Sequence, residues 1–131
     1  MDPRLQATLL ETLAPFAHLR LALAYGSAAA DRLRPESDLD LAVLSSGELD
    51  LDARLALVTA VERATGRTVD LCDLSTAHGT ILGEIVQRGA KLLVRDPRAL
   101  ETLQQRFIYE QTDFMPAYRR ALAQRRERFL K

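Results

Sequence analysis

The residues of this chain that are able to do chemistry together are three aspartates and a glycine–serine pair. Asp38 and Asp40 stand two apart in Ser37-Asp38-Leu39-Asp40-Leu41, ten residues after Gly26-Ser27. In a strand, residues two apart leave the same face, so both carboxylates emerge together while Leu39 and Leu41 enter the core behind them. Like charges roughly 7 Å apart on one face repel unless something offsets them. Mg²⁺ does so: it takes hard oxygen ligands, commonly one or two protein carboxylates together with substrate phosphates. Gly26-Ser27 supplies the complementary half. A glycine between a strand and a helix lets backbone approach a phosphate closely, the helix start offers free N–H donors, and the serine hydroxyl adds another. An anion cradle beside a metal-binding pair is what phosphoryl or nucleotidyl transfer requires.

The third aspartate lies in Val69-Asp70-Leu71-Cys72-Asp73. Asp70 is flanked by two residues that belong in the core, so it emerges on the open face. If its strand lies beside the Asp38–Asp40 strand, Asp70 completes a three-carboxylate cluster able to hold two ions, which would stabilise both the attacking and the leaving oxygen of an in-line displacement. Asp70 is then also placed to accept the proton of an attacking hydroxyl. Asp73 is the rival for this position, and equally suits a turn or a helix entry. Arg32 and Arg34 are the arginines near the motif able to neutralise a leaving group; the sequence does not choose between them. An isolated Asp-x-Asp is common on half-exposed strands, and an isolated Gly-Ser is commoner still. It is their combination at this separation, with a third aspartate one strand later, that points to a catalytic site.

Elements to position these residues are readable from the hydrophobic pattern. Leu5, Leu9, Leu10 and Leu13 recur at helical spacing over 4–14, with Pro3 suited to a first turn. Leu19 to Tyr25 reads as a strand, and Ala28-Ala29-Ala30 favours a helix after Gly26-Ser27 that breaks at Arg34-Pro35-Glu36-Ser37. Asp38 to Leu44 reads as a second strand. A helix over 50–65 carries Leu51, Leu55, Val58 and Val61 on one face and stops at Gly66. Thr68 to Leu74 is a third strand. Ser75 caps a helix running to Arg88, with Ile81, Ile85 and Val86 inward, and Lys91 to Arg95 is a fourth strand. From Asp96 the pattern is helical to the end, with Pro97 at a first turn and Pro116 as a kink or split. This alternation predicts an α/β (α+β) domain: a small mixed sheet of about four strands, helices packed on it, and a long C-terminal helical segment.

Composition narrows the classes. At 131 residues, with no linker-like stretch or repeat, the chain is expected to be a single domain over 1–131. No apolar run approaches the roughly 18 residues of a membrane span, and the acidic N-terminus lacks a signal-peptide pattern, so a soluble cytoplasmic protein is expected. The single cysteine, Cys72, can form no internal disulfide and supports no zinc pattern; it reads as a core residue. His18 and His78 have no ligand spacing. Zero net charge argues against direct nucleic-acid binding. Arg119, Arg120, Arg125, Arg126 and Arg128 crowd the C-terminus, as a solvated helix end or as a patch for an acidic partner.

These motifs resemble the nucleotidyltransferase superfamily pattern, Gly-Ser followed by ten residues and Asp-x-Asp. The likeness is greatest to the minimal nucleotidyltransferase (MNT) domains of the MntA type. It runs over nearly the whole chain: the Ser-Asp-x-Asp-Leu strand, the Val-Asp-Leu strand, the Arg-Gly turn before a short strand, and the long C-terminal helix. The resemblance implies a nucleotidyltransferase fold in which Gly26 and Ser27 cradle the triphosphate of ATP, Asp38 and Asp40 bind Mg²⁺, and Asp70 is the third carboxylate. It also implies a partner, a HEPN-domain RNase toxin neutralised by transfer of AMP to one of its tyrosines. Many relatives carry glycine four residues after the motif serine, where this chain has Asp31; a carboxylate pointing inward there would repel phosphate. Two other readings follow: an antitoxin that masks its toxin by binding alone, and a nucleotidyltransferase whose acceptor is a small molecule or an RNA.

Overall fold

A computed structural model describes residues 1–112. The expected Pro116 kink and the arginine-rich stretch from Arg119 to Arg128 lie outside the described residues. Seven elements follow in chain order: α1 (Pro3–Leu13), β1 (Leu19–Tyr25), β2 (Leu39–Ser45), α2 (Leu51–Thr65), β3 (Val69–Asp73), α3 (Gly79–Arg88) and β4 (Ala90–Val94). A further helix, α4, occupies residues 97–112.

The strands form one mixed sheet of four, as expected from the sequence, in the order β3-β2-β1-β4. β1 pairs antiparallel with both β2 and β4, whereas β2 and β3 are parallel, joined by the α2 crossover. β1 is the central strand and is covered on both sides, which explains its almost unbroken apolar run. Ala22 and Ala24 face the α1–α2 layer, packing with Leu39, Leu41 and Val43 of β2 against Leu9, Leu13, Leu57 and Val61. Leu21, Leu23 and Tyr25 face the opposite layer, against Leu82 and Ile85 of α3 and Leu100 and Leu103 of α4. Fully burying side chains of this kind contributes about 1.5–3 kcal/mol each. The sheet is therefore the middle of three layers, and its polar residues can appear only where a helix leaves the face uncovered.

The helix ends are set locally. Asp2 caps α1, with the Arg4 N–H donating to its carboxylate at 3.2 Å, and Pro3 occupies the first turn. Asp50 caps α2 by accepting from the Ala53 N–H at 2.8 Å, and Gly66 ends it in the left-handed region (φ +69°). Asp96 caps α4 through the Ala99 N–H, 3.2 Å, and is bridged by Arg20 of β1, whose Nε donates to it at 3.0 Å.

Three expectations are corrected. The Ala28-Ala29-Ala30 helix does not form: Ala30 N–H donates back to Gly26 at 3.2 Å, but Asp31 then takes a positive φ of 56° and the chain leaves the turn. One turn of alanines cannot outweigh the cost of nucleating a helix. On α2 the buried residues are Leu57 and Val61, while Leu51 and Leu55 are exposed (69% and 54%). α3 starts at Gly79 rather than after Ser75, which is held in a turn by Asp73, and on it Ile81 is exposed while Leu82 and Ile85 are buried.

Candidate active site

The site residues gather at one end of the sheet, where β1 finishes and β2 and β3 begin. Tyr25, the last residue of β1, pairs with Asp40 of β2, and Asp40 pairs in turn with Asp70 of β3. Alternation along β2 buries Leu39 and Leu41 under α1 and α2 and turns Asp40 to the other face, where α3 leaves the strand ends open. Asp38 lies one residue before β2 and is exposed, as is Asp70; Asp40 is half-buried. Gly26 follows β1 directly with a φ of +65°, a conformation glycine adopts freely. A Cβ at Gly26 would lie 2.5 Å from Asp40 Oδ2. The turn backbone and the carboxylate are therefore in immediate contact, and only glycine fits between them.

The electrostatics match this crowding. Partial burial raises the Asp40 carboxyl above the usual range, and Asp70, then Asp38, then Glu84 raise it further. Burial likewise pushes the Tyr25 phenol well up, with Cys72, Asp40, Asp70 and Glu84 adding to it. Cys72 is half-buried and its thiol is raised by desolvation and by Asp73 and Asp70, the reverse of an activated thiolate. Among the described residues the charges that act on Asp40 are thus all negative.

Hard oxygen donors and mutual repulsion suit a small divalent cation. Among the described residues, however, no three His, Cys, Asp or Glu side chains converge into a ready-made cage. The donor set fits Mg²⁺ better than a cage-demanding ion, because Mg²⁺ keeps water and substrate oxygens in addition to one or two carboxylates.

Asp73 is occupied elsewhere: its Oδ1 accepts from the Ser75 N–H (2.9 Å) and hydroxyl (2.8 Å), closing the turn after β3. Asp31, whose carboxylate threatened the phosphate cradle, binds the Met1 amino group at 2.9 Å and lines a separate cavity of about 380 Å³ with Arg4, Thr8 and Arg67. It does not line the cleft at Gly26-Ser27.

That cleft, about 510 Å³, is bounded by Gly26, Ser27, Ala29, Ala30 and Arg32 on one side and by Glu84 and Arg88 of α3 on the other. Its volume is that of a small-molecule site. Glu84 and Arg88 did not come from the sequence reading. They sit on the polar side of an amphipathic helix, and only the packing of α3 beside β1 brings that side to the turn. Arg34 does not line the cleft; its carbonyl accepts from Arg67 at 2.7 Å.

A glycine turn beside an open cleft, paired carboxylates on adjoining strands and a mixed sheet between helices are the features of the nucleotidyl-transferring class of enzyme. The family described as polymerase beta, nucleotidyltransferase, matches residues 7–98, and the chain belongs to it. Among solved structures it is similar to a toxin–antitoxin determined with AMP-PNP, at 26% identity over 91% of this chain and 95% of that one, with a TM-score of 0.72. It is also similar to the MNT antitoxin complexed with a tri-AMPylated Shewanella oneidensis HEPN toxin, at 25% identity, 95% and 97% coverage and a TM-score of 0.68. A toxin–antitoxin MntA–HepT shares the fold at 24% identity, 94% and 97% coverage and a TM-score of 0.67. The expected likeness to MNT domains is borne out by these structures. Comparison with curated proteins finds no match.

Proposed function

We propose that this chain is a Mg²⁺-dependent adenylyltransferase antitoxin, a single minimal domain acting in the cytoplasm, that transfers AMP from ATP to a tyrosine of a cognate HEPN-family RNase toxin. The observation that carries the reading is the Asp40–Asp70 pair on adjoining strands, in contact through Asp40 with the Gly26 turn. The solved structures support the substrate and the partner: one similar toxin–antitoxin binds AMP-PNP, and another contains an AMPylated HEPN toxin.

In this mechanism Gly26 and Ser27 receive the phosphates of ATP through backbone N–H groups and the serine hydroxyl. Asp38 and Asp40 hold Mg²⁺, with Asp70 as third carboxylate; the ion, when bound, neutralises charge on the phosphates and lowers the barrier to their displacement. Asp70 accepts the phenolic proton of the acceptor tyrosine. The tyrosine oxygen then forms a bond to the α-phosphorus as the bond from that phosphorus to the bridging oxygen breaks, releasing pyrophosphate and leaving the tyrosine esterified to AMP. Asp31, drawn aside by the Met1 amine, does not oppose phosphate binding in this arrangement.

Label transfer tests the proposal. The purified chain, Mg²⁺, ATP labelled at the α-phosphate and the product of the neighbouring gene should yield labelled partner. Asp38→Asn and Asp40→Asn should each abolish the signal while leaving the fold intact, and γ-labelled ATP should give none. No label despite a stable complex and a silenced partner would replace the proposal with a binding antitoxin.

A further inference from the structure

Two arginines reach the Gly26–Ser27 cleft from opposite sides, Arg32 from the loop and Arg88 from the last turn of α3. Of the nine other arginines among the described residues, five hold a described partner through the guanidinium; those of Arg4, Arg34, Arg63 and Arg98 do not, but none of these four lines the cleft. Arg20 holds Asp96, Arg54 the Leu71 carbonyl, Arg67 the carbonyls of Arg34 and Ser37, Arg95 those of Ala14, Phe16 and Leu19, and Arg106 those of Leu74 and Ala77. The guanidinium groups of Arg32 and Arg88 are exposed and make no such bond with any described residue. A guanidinium is always charged and presents a planar fork of donors matched to phosphate oxygens.

We propose that Arg32 and Arg88 clamp the polyphosphate end of the bound nucleotide, Arg32 from the loop and Arg88 from α3. This rests on the nucleotide-binding reading given above and assigns the cleft beside the turn to the β- and γ-phosphates. The carboxylates lie at the strand ends on one side of Gly26, and the two arginines lie in the cleft beside the turn. A phosphate chain passing over Gly26 therefore runs from the anionic half of the site, which needs a cation, into a half that already supplies two. The departing pyrophosphate leaves from the cationic half. Glu84 precedes Arg88 by one turn, the acid-before-base spacing at which helical side chains attract each other. Glu84 also lines the cleft, and its charge opposes phosphate there, so it sets how tightly the clamp closes.

Isothermal titration of the full chain with inorganic tripolyphosphate in Mg²⁺, and separately with ATP, tests this. Arg32→Gln and Arg88→Gln should each weaken both ligands roughly tenfold or more, the loss expected for one charge-assisted hydrogen bond. Arg34→Gln, the same charge change outside the cleft, should leave both affinities unchanged, and Glu84→Gln should tighten them. All are exposed positions, so matching thermal melts will show the fold retained. Wild-type affinity for tripolyphosphate in both arginine variants overturns the clamp, as does a loss confined to ATP, which would assign the arginines to the nucleoside. A wild-type chain that binds neither ligand overturns the nucleotide-binding reading, and the clamp with it.

Discussion

Asp40 bears a sharp conflict, since it is half-buried, pairs with Asp70 across the strands, has Asp38 nearby and abuts the Gly26 backbone. Burial and these like charges raise its carboxyl above the ordinary value. A raised acid means the folded state holds more protons than the unfolded one, so stability falls as pH rises. The penalty is absent below the unfolded value, builds between the unfolded and the raised folded values, and is fully present above the latter. In EDTA at neutral pH, Asp40→Asn should therefore melt a few degrees above the wild type, with the gain vanishing in acid. Thermal melts from pH 3 to 8 read this directly, and an equal or lower melting temperature at neutral pH would contradict the uncompensated charge. Such conflict is why the aspartates were legible from sequence: nothing in packing rewards carboxylates that share a strand face, so their spacing stands out. Glu84 and Arg88 were not legible, because charge on the outer side of an amphipathic helix is ordinary. Asp73, the rival to Asp70 in the sequence, is spent on a turn through its bonds to Ser75.

At the scale of elements, strands were easier to read than helix faces. β1 was legible end to end because a central strand buried on both faces needs a nearly continuous apolar run, and Leu19–Tyr25 provides one broken only by Arg20. α2 was misread for the opposite reason. Its sequence, LDARLALVTAVERAT, is apolar at so many positions that two stripes compete, and helical periodicity alone cannot choose between them. The choice is made by tertiary partners: Arg54 donates to the Leu71 carbonyl at 2.9 Å, and Glu62 accepts from the Val69 N–H at 3.1 Å, fixing the rotation of the helix over β3. That rotation buries Leu57 (1% exposed) and leaves Leu55 (54% exposed) outward. Leu57→Ala should cost about 2–5 kcal/mol, the usual result of emptying a packed site, and Leu55→Ala about 0.5 kcal/mol or less. Urea unfolding of the two variants measures both, and equal losses would show the rotation to be wrong. The short alanine run failed as a helix because local propensity needs several turns to matter, whereas Gly26 and Asp31, both at positive φ, bracket it within one.

Over the whole molecule, connectivity sends the chemistry to one end of the sheet. β1 runs toward that end, β2 and β3 run away from it, and β4 returns beside β1 directly after Arg88. The opposite end carries the Arg20–Asp96 bridge and the Arg95 contacts to carbonyls at Ala14, Phe16 and Leu19, which tie α4 and the α1–β1 loop down. A chain of zero net charge thus has a braced end and an end where, among the described residues, carboxylates crowd Asp40. A ligand that supplies a cation and binds only the folded state must stabilise the whole domain. At a hundredfold excess over its dissociation constant, ATP with Mg²⁺ contributes about 2.7 kcal/mol, roughly 10 °C in melting temperature for a domain of this size. ATP in EDTA brings its own negative charge to the same carboxylates and should raise the melting temperature far less. Replacing both Asp38 and Asp40 by Asn should remove the Mg²⁺-dependent part of the shift while leaving a residual effect of ATP alone. Scanning melts across the four combinations of ATP and metal, with wild type and double variant side by side, separate these terms. An equal shift with and without metal would mean that the carboxylates hold no ion, whereas the absence of any shift would mean that the Gly26–Ser27 turn receives no nucleotide.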